Sequence, residues 1–129
     1  MRVLLDTHVF LWWSSDRGAR LSERTRDILA DGATDAAISL VSAWEIAIKV
    51  GAGRMELPDA IERYLPDRIR RHGFELLPIA MAHALRAGSL PPIHRDPFDR
   101  MLVAQAQVEG LPILTANPAI SRYDVETIW

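Results

Sequence analysis

Short apolar runs alternate with helix-length segments along the whole chain, and that alternation leaves few folds open. Val3–Leu5, Ala36–Ser39, Phe74–Ile79, Leu111–Thr115 and Val125–Ile128 read as strands. Helices are expected between them, over Val9–Trp13, Glu23–Ala30, Ala43–Val50, Pro58 to about His72, Ala80–Ala87 and Pro97–Glu109. The helix boundaries carry their own chemistry. Ser22 is placed to cap the second helix, and Asp31-Gly32 to stop it. Asp96 caps the last helix, Pro97 takes its favoured first position, and Gly110 stands just beyond its end. Gly51-Ala52-Gly53 and Gly88 read as further stops. Strands alternating with helices imply an α/β fold, a mostly parallel sheet with helices on both faces.

At 129 residues the chain is long enough for one domain, 1–129, with a buried core. It contains no cysteine, which removes disulfides, thiolate metal sites and a cysteine nucleophile. No apolar run approaches the ~18 residues of a membrane span. The first apolar stretch is short and broken by Asp6, unlike a signal peptide, so a cytoplasmic protein without a membrane partner is expected. A net charge of −2 argues against a generally basic nucleic-acid coat. Arg54, Arg63, Arg68, Arg70 and Arg71 nevertheless cluster. Guanidinium groups suit bidentate phosphate contacts, which makes these five candidate RNA contacts; a solvated helix face is the plainer alternative.

Three acids lie where an open α/β sheet binds ligands, at strand ends and helix starts. Asp6 ends the first strand. Glu45 is in the first turn expected of the Ala43 helix, and Asp99 in the first turn of the Pro97 helix. Each also has a structural reading. Asp6 can cap a helix, Ser42 and Glu45 fit a capping box, and Asp99 suits the helix dipole. Convergence changes the energetics: two carboxylates ~5 Å apart at an effective dielectric of ~20 repel by about 3 kcal/mol. A converging trio needs a divalent cation, protonation of one member or solvent screening, and hard oxygen donors make Mg²⁺ or Mn²⁺ the best fit. His8, His72, His83 and His94 lack zinc-site spacing; His8 and His94 are expected at the surface or behind the acids. Trp12, Trp13 and Trp44 are expected to supply core or dimer-interface area rather than base stacking.

Three strings resemble the PIN-domain ribonucleases, specifically the VapC-like toxins of type II toxin–antitoxin pairs. They are Leu4-Leu5-Asp6-Thr7-His8, the stretch from Ser39 to Lys49 with Ala43-Trp44-Glu45-Ile46 at its centre, and the stretch from Leu90 to Ala106 with Arg95-Asp96-Pro97-Phe98-Asp99. The resemblance implies a three-layer α/β/α sandwich with an acidic pocket and a Mg²⁺- or Mn²⁺-dependent endoribonuclease. It also implies a homodimer and a cognate antitoxin protein. Asp6, Glu45 and Asp99 match the family's catalytic, metal-binding acids, with products expected to carry 5′-phosphate and 3′-hydroxyl ends. Thr7, Asp96, Thr115 and Asn117 are candidates for the shell behind them. The fourth family acid is missing: Thr115-Ala116-Asn117 stands where Thr-x-Asp is common, and asparagine brings a neutral carbonyl and no charge. That departure keeps a second class open, a PIN-like module that binds RNA or protein with little or no cleavage. Phosphoryl chemistry on Asp6 is a third and weaker reading, since His8 stands where an Asp-x-Asp pair would have its second acid.

Overall fold

The central strand is the first one. In the computed structural model, which describes all 129 residues, β1 (Arg2–Leu5) pairs on one side with β2 (Asp35–Ser39) and on the other with β4 (Ile113–Leu114). The sheet is extended by β3 (Glu75–Leu77) beyond β2 and β5 (Thr127–Ile128) beyond β4, giving the order β3-β2-β1-β4-β5. All four pairings are parallel. The strand order reverses between β1 and β4, which creates a crevice at their carboxyl ends. Asp6 and Thr115 stand at that crevice, one residue beyond each strand.

Six helices cover the sheet: α1 (Thr7–Asp16), α2 (Glu23–Ala30), α3 (Leu40–Gly51), α4 (Ile61–Arg71), α5 (Met81–Ser89) and α6 (Pro97–Glu109). The two-residue period of the strands divides the core into two. Leu4, Ala37, Leu77 and Ile113 pack with Leu102, Val103 and Ala106 of α6. Val3, Leu5, Ala36, Ile38 and Leu114 point the other way, onto Phe10 of α1 and Tyr64 and Leu65 of α4. A sheet buried on both faces makes three layers, the α/β/α sandwich expected from the sequence.

Several boundaries differ from their sequence expectations. The second helix and the last keep theirs, with Ser22 accepting from Thr25 N and Asp96 from Phe98 N and Asp99 N. The first helix is longer than Val9–Trp13 because the Asp6 side chain caps it. The third starts at Leu40, not Ala43. Ser39 at the very end of β2 is its cap, accepting from Val41 N at 3.0 Å, so the Ser42–Glu45 capping box does not form. Gly88 stops nothing; α5 runs on through Ser89. The late strands shrink to two paired residues each, and Phe74–Ile79 to three.

Candidate active site

Asp6 is 5% exposed, at the carboxyl end of the central strand. Its Oδ2 accepts from the Thr115 hydroxyl at 2.6 Å. Its Oδ1 meets only His8 N at 3.4 Å, longer than the ~2.7–3.2 Å of an ordinary N–H···O bond. That oxygen is open to another partner.

Asp99, in the first turn of α6, is reached from the same direction. The Thr115 hydroxyl accepts from Asn117 N at 2.9 Å, and Asn117 Nδ2 donates to Asp99 Oδ2 at 3.0 Å. One hydroxyl and one amide thus link the two carboxylates. His94 Nε2 also lies 3.1 Å from Asp99 Oδ2, and His94 Nδ1 lies 2.8 Å from the Tyr123 hydroxyl. Arg100 donates to that hydroxyl at 3.0 Å. Both of the bonds to Asp99 fall on Oδ2, leaving Oδ1 free. Burial pushes the Asp99 carboxyl above the ordinary carboxylate range; His94 pulls it down, and the charges of Asp96 and Asp6 push it up. The two acids feel each other's charge.

Glu45 is held differently. It is 6% exposed, in the second turn of α3 rather than the first. Thr7 donates to Glu45 Oε1 at 2.8 Å and shares a 2.7 Å contact with Ser42 Oγ. Lys49, one turn along, donates to Glu45 Oε2 at 2.8 Å. The residue after Asp6 therefore fastens the third acid to the end of β1, while Lys49 neutralises it. No three histidine, aspartate or glutamate side chains are grouped to hold a metal by themselves. The trio does not form one cup; the arrangement is a pair, Asp6 with Asp99, and a tethered neighbour.

A family model described as PIN domain matches residues 3–126. This chain is a PIN domain. Ribonuclease VapC16 of Mycobacterium tuberculosis is 41% identical to it over 59 residues. That stretch covers 46% of this chain and 42% of the mycobacterial protein, less than half of either. The fold is shared more widely. A chain of VapBC2 from Rickettsia felis, solved with a promoter DNA fragment, aligns with a TM-score of 0.74 at 14% identity over 100% of this chain and 99% of its own. VapBC-5 of M. tuberculosis aligns at 0.65 and 22% identity, over 98% of this chain and 97% of its own. FitAcB of Neisseria gonorrhoeae aligns at 0.65 and 20%, over 100% and 97%.

Within the PIN domain, a pair of carboxylates with two free oxygens suits a hard divalent cation. Mg²⁺ usually keeps several waters and takes one or two carboxylates, so the donor set fits without a third acid in direct contact. Asp96 is spent as the α6 cap. Asn117 Oδ1 accepts from Ala119 N at 2.9 Å while one Nδ2 N–H donates to Asp99, so the amide is held at both ends with its second N–H left over.

The arginine cluster is not one free patch. Arg63 pairs with Asp59 at 2.7 Å, Arg70 and Arg71 pair with Asp67 at 3.3 and 3.0 Å, and Arg68 lies 5.0 Å over the Tyr64 ring. Arg54 is exposed beyond the end of α3. Trp13 packs against the core as expected, whereas Trp44 is 59% exposed and meets Phe98 edge-on. Lys49 and Tyr123 contact the acids or their partners and were not singled out from the sequence, while Ser42, read there as a helix cap, meets Thr7 instead. Lys49 carried a signal, the Glu-to-Lys spacing of four on one helix face; Tyr123 carried none.

Proposed function

We propose that this PIN domain is an Mg²⁺- or Mn²⁺-dependent endoribonuclease and the toxin of a toxin–antitoxin pair. The observation that carries the reading is the Asp6–Thr115–Asn117–Asp99 chain, which holds two carboxylates from opposite ends of the sequence at one sheet edge. Burial is what chiefly raises the Asp99 carboxyl, and the charges of Asp96 and Asp6 add to it. Asp6 Oδ1 and Asp99 Oδ1 are the oxygens that would hold the cation. When bound, it would lower the pKa of a coordinated water and offset charge building on the phosphate.

The chain's own residues do the rest. Thr115 fixes Asp6, and His94 and Asn117 fix Asp99, so neither carboxylate turns away. To Glu45, held by Thr7 and Lys49, we assign the orienting of the attacking water. In-line attack on phosphorus forms the new P–O bond and breaks the bond to the 3′ oxygen, which leaves as a hydroxyl after taking a proton. The products carry 5′-phosphate and 3′-hydroxyl ends.

VapBC-5 of M. tuberculosis is a member of the VapBC family of toxin–antitoxin systems, and for this chain too an antitoxin partner is proposed. An apolar groove between α3 and α4, lined by Leu40, Ala43, Ala47, Ile61, Leu65 and Ile69, is the surface suited to it. A homodimer in the cytoplasm is proposed from the same family membership. The test is cleavage of RNA in Mg²⁺ by the parent, Asp6→Asn and Asp99→Asn. Loss in both folded variants supports the reading, and parental rates in either contradict it.

A second reading rests on Asn117 and Lys49. With no fourth charge and with Glu45 neutralised, the site is less acidic than three free carboxylates. A PIN module that binds without cutting fits that. Calorimetric titration decides: no Mn²⁺ uptake at millimolar metal favours this alternative.

A further inference from the structure

Asp6 belongs to a second feature besides the acid pair. A cleft of about 350 Å³ opens beside it, lined by His8, Trp12, Asn117, Pro118 and Trp129. We propose that this cleft is a nucleobase subsite, taking one unstacked base of a single-stranded RNA next to the phosphate at Asp6. The inference rests on the nuclease reading and names how that site grips its substrate.

Three observations point the same way. The rings of Trp12 and Trp129 stand 6.4 Å apart at 65°, so they form two walls meeting at an angle. A planar base laid on one indole meets the edge of the other, the arrangement aromatic pairs prefer. His8 lies one turn before Trp12 on α1, its ring 5.7 Å from that indole. It is exposed, and so free to meet a base edge. Arg20 lies 6.0 Å from the centre of the Trp12 ring, exposed at the rim of the cleft and paired at 3.5 Å with Asp16, a pair a passing phosphodiester would have to compete with.

Trp129 is 36% exposed and Trp12 is half-buried at the margin of the core. Single-stranded RNA is read through bases splayed onto aromatic side chains, and such stacking tolerates any base. Asn117 holds Asp99 and Ala119 N and keeps one amide N–H. That N–H and His8 are the polar groups left to read a base edge, so the subsite should discriminate weakly among the four bases. Trp12 and Trp13 were expected to supply core or dimer-interface area, and both do pack against the core; what makes a platform is Trp129, which folding brings over Trp12.

The test uses the full chain with 5-fluorotryptophan in place of its four tryptophans. Each fluorine resonance is assigned by a Trp→Phe variant, and adenosine, guanosine, cytidine and uridine 5′-monophosphates are titrated in Mg²⁺. The Trp12 and Trp129 resonances should shift saturably while those of Trp13 and Trp44 stay in place. Trp12→Ala and Trp129→Ala should weaken binding of a short, uncleavable 2′-O-methyl RNA by roughly 5- to 150-fold. Trp12→Phe should retain most of it and guards against a folding defect in the alanine variant. Unmoved Trp12 and Trp129 resonances, or parental RNA affinity in folded Trp129→Ala and Trp12→Ala, would overturn the subsite and leave the cleft to a protein partner. Parallel cleavage assays separate the two claims. Cleavage without the shifts removes the subsite and keeps the nuclease; saturable shifts without cleavage remove the nuclease and keep a nucleotide site.

Discussion

Thr115 donates its hydroxyl to Asp6 across 109 positions of sequence, joining the ends of two neighbouring parallel strands. The same hydroxyl accepts from Asn117 N, so one side chain fixes Asp6 and anchors the turn that reaches Asp99. Thr115→Val keeps the shape and removes both bonds. Groups behind a metal ligand are worth about 10–100-fold in metal affinity or activity. A loss in that range is expected in Mn²⁺ calorimetry, with helix content unchanged.

Asp99→Asn should separate stability from function. The Asp99 carboxyl is raised, so the folded state holds its proton more tightly than the unfolded chain does. Stability from this group is therefore present at low pH and is lost as pH rises through the raised pKa. Without metal, Asp99→Asn should melt higher than the parent at neutral pH. Metal and proton compete for the same oxygens, so parental Mn²⁺ affinity should fall on acidification already above the ordinary aspartate range. Thermal melts with and without Mn²⁺ across pH report both effects.

Asn117→Asp restores the charge that the family pattern would have. Asn117 Nδ2 is 3.0 Å from Asp99 Oδ2, so the new carboxylate would face an existing one. At ~4 Å and an effective dielectric of ~20 the repulsion is about 4 kcal/mol before screening. The metal-free variant should be less stable by on the order of 1–4 kcal/mol, and its Mn²⁺ affinity should rise. Chemical denaturation and calorimetry on one preparation check the pair of signs.

Most of the fold was legible where local chemistry is unambiguous. For α6, a cap, a proline at the first position and a glycine at φ 67° agree on the boundaries. Ser39 and Ser42 were a different case, since both can cap a helix and the local pattern favours Ser42 with Glu45. What decides is the pairing of β2 with β3, which carries the strand to Ser39 opposite Leu77 and leaves no loop before α3. Ser42 then turns inward to Thr7. The acids were visible as strand-end and helix-start residues. That Glu45 would be tied to Thr7 and Lys49, and Asp99 to His94 and Asn117, depends on contacts between distant segments that no periodicity records.

His72 offers a pH test away from the site. Burial, then the charges of Arg68 and Arg71, hold its imidazole below the ordinary value of 6.5. Its Nε2 is buried without a partner, and its ring stacks on Phe74 at 5.5 Å. A depressed histidine gives stability that is full at neutral pH and is lost as pH falls below about 6.5, because the unfolded chain takes the proton first. His72→Phe keeps the stack and removes the titration. Its melting temperature should fall less than the parent's between neutral pH and mild acid, with activity unaffected.

One cation held between Asp6 and Asp99 is what the proposed hydrolysis requires. A crystal soaked in Mn²⁺ and measured at a wavelength where manganese scatters anomalously places that ion directly. The expected result is a peak about 2.1 Å from an oxygen of each carboxylate, absent from Asp6→Asn crystals soaked in the same way. A fully soaked crystal with no peak there, or with its peak at Glu45 and none at the pair, would contradict it.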